Sequence, residues 1–297
     1  TTAQQFERKF PAISTVFLGQ YMASGTQPDI IGHIMDSNVL ELPFINFTDS
    51  HTIVADTLSL PTIPSFNVAG VEIDMSITKH VAIMWVASIL LITMMLKAFR
   101  KPKDVPSGLA NFFEAIVLFL RDEVVIPIMG EHGKKYLPFL LTIFFFILFC
   151  NLLGLIPYSA TATGNISVTA GLAICSFLVM IGAGIANNGF FGYFKSLIPS
   201  GVPPALLIIL IPVELISLFV KPFALCVRLF ANMTGGHVAI LVFLGLIIIM
   251  QNEWIAIGAI PFAAAIYLLE IFVGFVQAFV FTLLSTVFIG MAAHPDH

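Results

Sequence analysis

The chain has 297 residues, of which 58% are hydrophobic and 10% charged, too little polar surface to clothe a soluble globule of this size, so the bilayer is its main solvent. The net charge of −4 comes from an acidic N-terminal region, where Glu7, Asp29, Asp36, Glu41, Asp49, Asp56, Glu72 and Asp74 outnumber Arg8 and Lys9, and that balance argues against nucleic acid as a partner. From Tyr136 onward only Lys195, Glu214, Lys221, Arg228, Glu253, Glu270 and Asp296 carry formal charge.

Residues 1–78 are rich in Pro, Thr, Ser, Asp and Asn without a span-length apolar run, and read as an extramembranous arm free to wrap around partner subunits. The missing initiator methionine fits a mature protein whose targeting segment has been removed, and a trimmed chain equally. The first span is predicted over residues 80–97, with Lys79 on one side and Lys97, Arg100, Lys101 and Lys103 on the other. That heavier positive flank is expected to face the cytoplasm or matrix. Residues 107–127, interrupted by Glu114, Arg121, Asp122 and Glu123, predict an amphipathic helix lying on the membrane, capped at Ser107 and stopped near Pro127.

Spans follow at 136–156 and 166–186, joined by the uncharged loop 157–165, after which Lys195 returns the chain to the positive side. The arm is then left on the opposite face. The apolar run 204–250 is roughly twice the ~20 residues needed to cross the hydrocarbon. A turn near its middle would bury charge and unsatisfied backbone, and the alternative is one long tilted helix bent near Pro212 or Pro222. A second run, 254–293, completes a tilted hairpin. The fold class expected is an all-α polytopic membrane protein. Cys150, Cys175 and Cys226 lie in apolar stretches and read as buried small hydrophobes, with no disulfide framework or zinc site.

At 100° per residue, Glu214, Ser217, Lys221, Arg228, Asn232 and Gly235 fall in a sector roughly 80° wide. Glu270, Gly274 and Gln277 share a face of the second run, so two apolar helices each carry one polar face that can meet the other. Arg228 costs about 2.5–3.5 kcal/mol at a helix centre and cannot surrender its proton, so it suits a fixed positive charge better than a proton carrier. His237 and Glu270 titrate near neutrality when their surroundings shift them and are relay candidates. Blander accounts stand beside these: an ion pair of Arg228 with Glu214 or Glu270, helix packing by His237 and Gln277, and helix glue by Asn232. Lys221, next to Pro222, is read as satisfying carbonyls freed at a kink. His80, His132, His294 and His297 lie near predicted element ends and read as interfacial. His237 and Glu270 are too few to argue for a metal site, and no cofactor is expected.

The segment RLFANMTGGH, residues 228–237, resembles the signature of subunit a of F-type ATP synthases. FVQAFVFTLLS at 275–285 resembles that family's last helix, and FFFILFCNLLGLIPYSATATGNI at 144–166 resembles its span ending in Asn-Leu-x-Gly-x-Ile-Pro. The resemblance covers roughly residues 76–293 and implies a non-catalytic stator subunit against a rotating c-ring, alongside a peripheral stalk and other membrane stator subunits. It implies that Arg228 separates two aqueous half-channels, that protons enter past His237 and Glu270, and that Glu214 serves the second path. Many bacterial members resemble an arrangement with glutamate and histidine exchanged at positions 237 and 270, whereas mitochondrial and related alphaproteobacterial members resemble this chain, and the order is taken to imply a mitochondrial inner-membrane protein with its arm in the intermembrane space. Two rivals remain: a secondary transporter, which predicts inverted repeats although the Arg228 region has no second copy, and a membrane scaffold.

Overall fold

The computed structural model describes residues 37, 39–45, 55–61, 66–68, 71–73, 76–100, 108–156, 161–196, 204–250 and 253–293. Most of the arm, Ser107, Lys101, Lys103, His294 and His297 lie outside them. The described part of the arm adds two small antiparallel sheets to the helices expected from hydropathy: β1 (Val39–Ile45) with β2 (Ala55–Ser59), and β3 (Phe66–Val68) with β4 (Val71–Ile73). Register in the first pair shifts between Leu42 and Ile45, around Pro43. Proline has no N–H for the ladder, and irregularities of this kind are where sheets accommodate it.

Helices α1 (Lys79–Phe99), α2 (Leu109–Phe119), α3 (Ile126–Met129), α4 (Leu137–Gly154), α5 (Ile166–Asn188), α6 (Phe190–Ser196), α7 (Pro204–Met250) and α8 (Glu253–Ala293) follow. Among the described residues five stretches are long and apolar enough to cross a membrane: Lys79–Phe99, Leu137–Gly154, Ile166–Asn188, Leu206–Phe243 and Ile257–Ala293. Helix α7 runs unbroken for 47 residues through Pro212 and Pro222. At about 1.5 Å per residue it is about 70 Å long, so it must tilt steeply or project from a hydrocarbon layer of about 30 Å.

The stop predicted near Pro127 falls two residues later, at Met129. Residues Leu120–Val125 form a π turn, and α3 continues across Pro127 until Gly130, whose φ of 65° lies in the left-handed region. Proline removes one helical donor and crowds the carbonyl four residues back. A π turn just before it changes the local bonding pattern and lets the chain pass.

The chain divides into two compact units, one of residues 1–88, 149–165 and 231–275, the other of 89–148, 166–230 and 276–297. In the first, the Lys79 amide donates to the Ser37 carbonyl at 2.9 Å, which ties the arm to the start of α1. His80, expected at an interface, is buried there. Helices α7 and α8 run antiparallel in this unit, with Phe243 against Phe262 at 4.5 Å between ring centres and the 236–237 turn beside Glu270.

In the second unit Val125, Met129, Leu140, Met180, Ala183, Leu218, Ile289 and Ala293 form one apolar core. Again α7 and α8 are antiparallel, with Leu218 and Ile289 in that core and the Lys221 ammonium 5.7 Å from the Phe288 ring centre. Asn188 donates to the Gly184 and Ala292 carbonyls, each at 3.1 Å, and Asn187 donates to the Ala293 carbonyl at 3.4 Å. The last carbonyls of a helix have no intrahelical partner, and these amides supply one to the end of α8. Cys150 and Cys226 are buried as expected of small hydrophobes, whereas Cys175 is exposed.

Candidate functional site

Helical spacing brings Gly236 and His237 on α7 to Glu270 on α8. A Cβ on Gly236 would stand 2.7 Å from Glu270 Oε1, so the missing side chain is what lets the carboxyl lie against the α7 backbone. His237 Nε2 is 3.9 Å from the same oxygen. Glu270 is 3% exposed, and neither of its carboxyl oxygens has a hydrogen-bond partner among the described residues. Leaving such a group charged and alone costs on the order of several kcal/mol. An imidazole beside it offers two neutral partners or an ion pair, related by transfer of one proton.

The last turn of α4 and residues 161–165 add neutral polar groups to this pair. The Thr161 hydroxyl touches His237 Nε2 and donates to the Gly154 carbonyl at 3.3 Å. Asn151, fully buried, donates to the Gly274 carbonyl at 3.0 Å and accepts from the Thr163 hydroxyl at 2.7 Å. Tyr267, one turn before Glu270, donates its hydroxyl to the Leu155 carbonyl at 2.9 Å. Thr234 donates to the Gly164 carbonyl at 3.5 Å.

The remaining candidates have different settings. Arg228 is exposed and makes no ion pair or hydrogen bond among the described residues, so neither expected partner, Glu214 or Glu270, holds it. Asn232 is exposed, Gln277 is buried, and Glu214, Ser217 and Lys221 are half-buried. Lys221 lies toward the Phe288 ring. Tyr193 on α6 is buried, and that burial, followed by the charge of Glu214, pushes its hydroxyl above the usual phenol range. Within the π turn, Arg121 grips Asp122 through two hydrogen bonds of 2.7 and 2.9 Å, which hold that carboxyl below the usual carboxylate range. No group of three or more metal-ligating side chains lies together among the described residues.

Sequence reasoning singled out His237 and Glu270, and the structure brings them together. It missed Thr161, Thr163 and Asn151 as site residues. For Asn151 the signal was present in the Asn-Leu-x-Gly stretch. For Thr161, an uncharged loop residue 76 positions from its partner, no local signal existed.

The family described as ATP synthase A chain has a sequence model that matches residues 81–290. The chain is 48% identical over 255 residues to ATP synthase subunit a of Chloroherpeton thalassium, covering 84% of this chain and 76% of that protein. It is 51% identical over 234 residues to the subunit of Myxococcus xanthus, covering 76% and 77%. The subunit of Anaeromyxobacter sp. is 50% identical over 231 residues, covering 76% of this chain and 57% of that longer protein. These relatives are bacterial, so the mitochondrial origin expected from the order of His237 and Glu270 finds no support in them.

Proposed function

The chain belongs to the family of ATP synthase A chains, and from that premise we propose that it is the proton-conducting stator subunit of a rotary ATP synthase, non-catalytic in itself. Its membrane domain, residues 79–297, carries the tilted hairpin of α7 and α8 against the carboxylates of a ring of c subunits. A peripheral stalk and other membrane stator subunits hold it in place. The arm, residues 1–78, lies on the face opposite the positive loops at 97–103, 134–135 and Lys195.

The observation that carries this reading is the His237–Glu270 pair, a carboxyl and an imidazole 3.9 Å apart within two membrane-length helices. Protons enter one half-channel past these two groups and reach a ring carboxylate, with Gln277 and Asn232 contributing polar contacts along the helix faces. The ring then turns, and each proton leaves by a second path past Glu214, with Ser217 and Lys221 supporting that face. Arg228 presents a guanidinium that keeps its proton and stands on the chain's surface. It is available to a partner's carboxylate and repels protons that would pass straight between the half-channels. Each charge that crosses releases about 2.3 kcal/mol per 100 mV, which the rotation converts to synthesis.

The test uses the whole complex reconstituted in vesicles. Arg228→Ala is expected to abolish ATP-driven proton pumping, and pumping at the wild-type rate would exclude the proposed role. His237→Leu and Glu270→Leu are each expected to lower the flux and shift its pH dependence; unchanged flux in both would remove the relay.

A further inference from the structure

The hydroxyl that touches the His237 ring belongs to Thr161, in the segment between α4 and α5. We propose that Thr161 is a positioning residue for the His237 proton: its one hydroxyl hydrogen alternates between His237 Nε2 and the Gly154 carbonyl, so that Nε2 keeps a partner in both protonation states. The proposal rests on the reading of His237 as a proton carrier.

Threonine has one hydrogen to donate and two lone pairs that accept. Thr161 is buried, in contact with His237 Nε2, and 3.3 Å from the Gly154 carbonyl oxygen. It cannot donate to both at once. When Nε2 carries a proton, that N–H donates to Thr161 Oγ1 and the hydroxyl donates to Gly154. When Nε2 is bare, the hydroxyl turns and donates to the nitrogen. Gly154 is the last residue of α4, so its carbonyl lacks a partner in the helix and lies at the negative end of the helix dipole. That carbonyl therefore favours the arrangement in which Nε2 carries its hydrogen.

The approach depends on the glycine. A Cβ at residue 154 would stand 2.6 Å from both Cβ and Cγ2 of Thr161. Among the described residues, the titratable group against His237 is Glu270, with Tyr267 one turn before it on α8; the described end of α4 and residues 161–165 contribute only neutral groups. In the transfer, the ring tips its Nε2–H away from Thr161 and a water molecule spanning the 3.9 Å gap takes that proton while giving one of its own to Glu270, so that the Nε2–H bond breaks and an O–H bond forms on the carboxylate. The electron pair left on Nε2 accepts the Thr161 hydrogen. A proton from the aqueous side later restores the N–H bond, and the threonine ends unchanged.

The experiment compares Thr161→Val, which keeps the shape and loses the hydroxyl, with Thr161→Ser, which keeps the hydroxyl. Both are placed in the whole complex in vesicles, with ¹⁵N-labelled histidine. Thr161→Val is expected to lower pumping roughly fivefold, the factor one net hydrogen bond represents, to shift the pH profile, and to move the His237 Nε2 resonance. Thr161→Ser is expected to restore all three. A valine variant with the wild-type pH profile and resonance, or a serine variant no better than valine, would overturn the proposal. His237→Leu separates the two readings: if it leaves pumping intact, the proton path itself is wrong. If it abolishes pumping while Thr161→Val changes nothing, only the role of Thr161 is wrong. Should Thr161→Val not assemble, Gly154→Ala, which keeps the hydroxyl and displaces it, is expected to shift the profile, and a wild-type profile there would refute the proposal.

Discussion

Glu270 and Arg228 are both ionisable groups deep in membrane-length helices, and the chain treats them in opposite ways. Glu270 is 3% exposed, admitted by the bare backbone of Gly236 and accompanied by His237. Arg228 is exposed, with no ion pair or hydrogen bond among the described residues. A charge supplied with an internal partner is equipped to exchange something with it. A charge left facing outward is equipped to meet something that comes to it.

Substitutions can break that contrast, and the largest effect is expected at the outward-facing charge, where Arg228→Ala should bring coupled pumping to background as proposed above. Next comes the inward-facing one. Gly236→Ala places a Cβ 2.7 Å from Glu270 Oε1, and the carboxyl must move away from its seat. Flux through assembled complexes is expected to fall roughly tenfold, equivalent to ~1.4 kcal/mol, with the helical content unchanged by circular dichroism. Wild-type flux would mean that the position of the carboxyl is not critical. A smaller effect is expected one step further out, where Asn151→Leu removes a second donor from the Gly274 carbonyl and leaves the buried Thr163 hydroxyl without its acceptor. The loss is about 1–3 kcal/mol, read as a lower melting temperature of the purified protein in detergent. A flux loss as large as that of Gly236→Ala would show instead that Asn151 belongs to the path.

Much of the helical architecture could be read from apolar run lengths, because a bilayer imposes length and hydrophobicity directly. His237 and Glu270 were readable as candidates for a related reason: among so few ionisable residues, each one in a span stands out, although their pairing came from the family resemblance. What the sequence hid were features without a charge or a period. Thr161 and Gly154 act through close approach, and a threonine in an uncharged loop looks like any other. The stop near Pro127 was legible to within two residues, whereas the π turn that lets the helix run past the proline has no signature in residues 120–125. The β3–β4 pair did leave a trace, since Asn67 and Glu72 interrupt apolar neighbours on either side of a two-residue Ala-Gly connection. The order of acid and imidazole, taken as a mark of mitochondria, finds no support in these relatives, which are bacterial and about 50% identical.

The outward-facing guanidinium also bears on how the subunit finds its place. A lone chain in lipid carries a charge that costs about 2.5–3.5 kcal/mol at a helix centre, and a partner's carboxylate on that surface removes the cost. Relieving it favours the assembled state by a factor on the order of a hundred. On the proposed function, the residue that keeps protons on their route would also favour assembly, because the unassembled subunit carries an uncompensated charge.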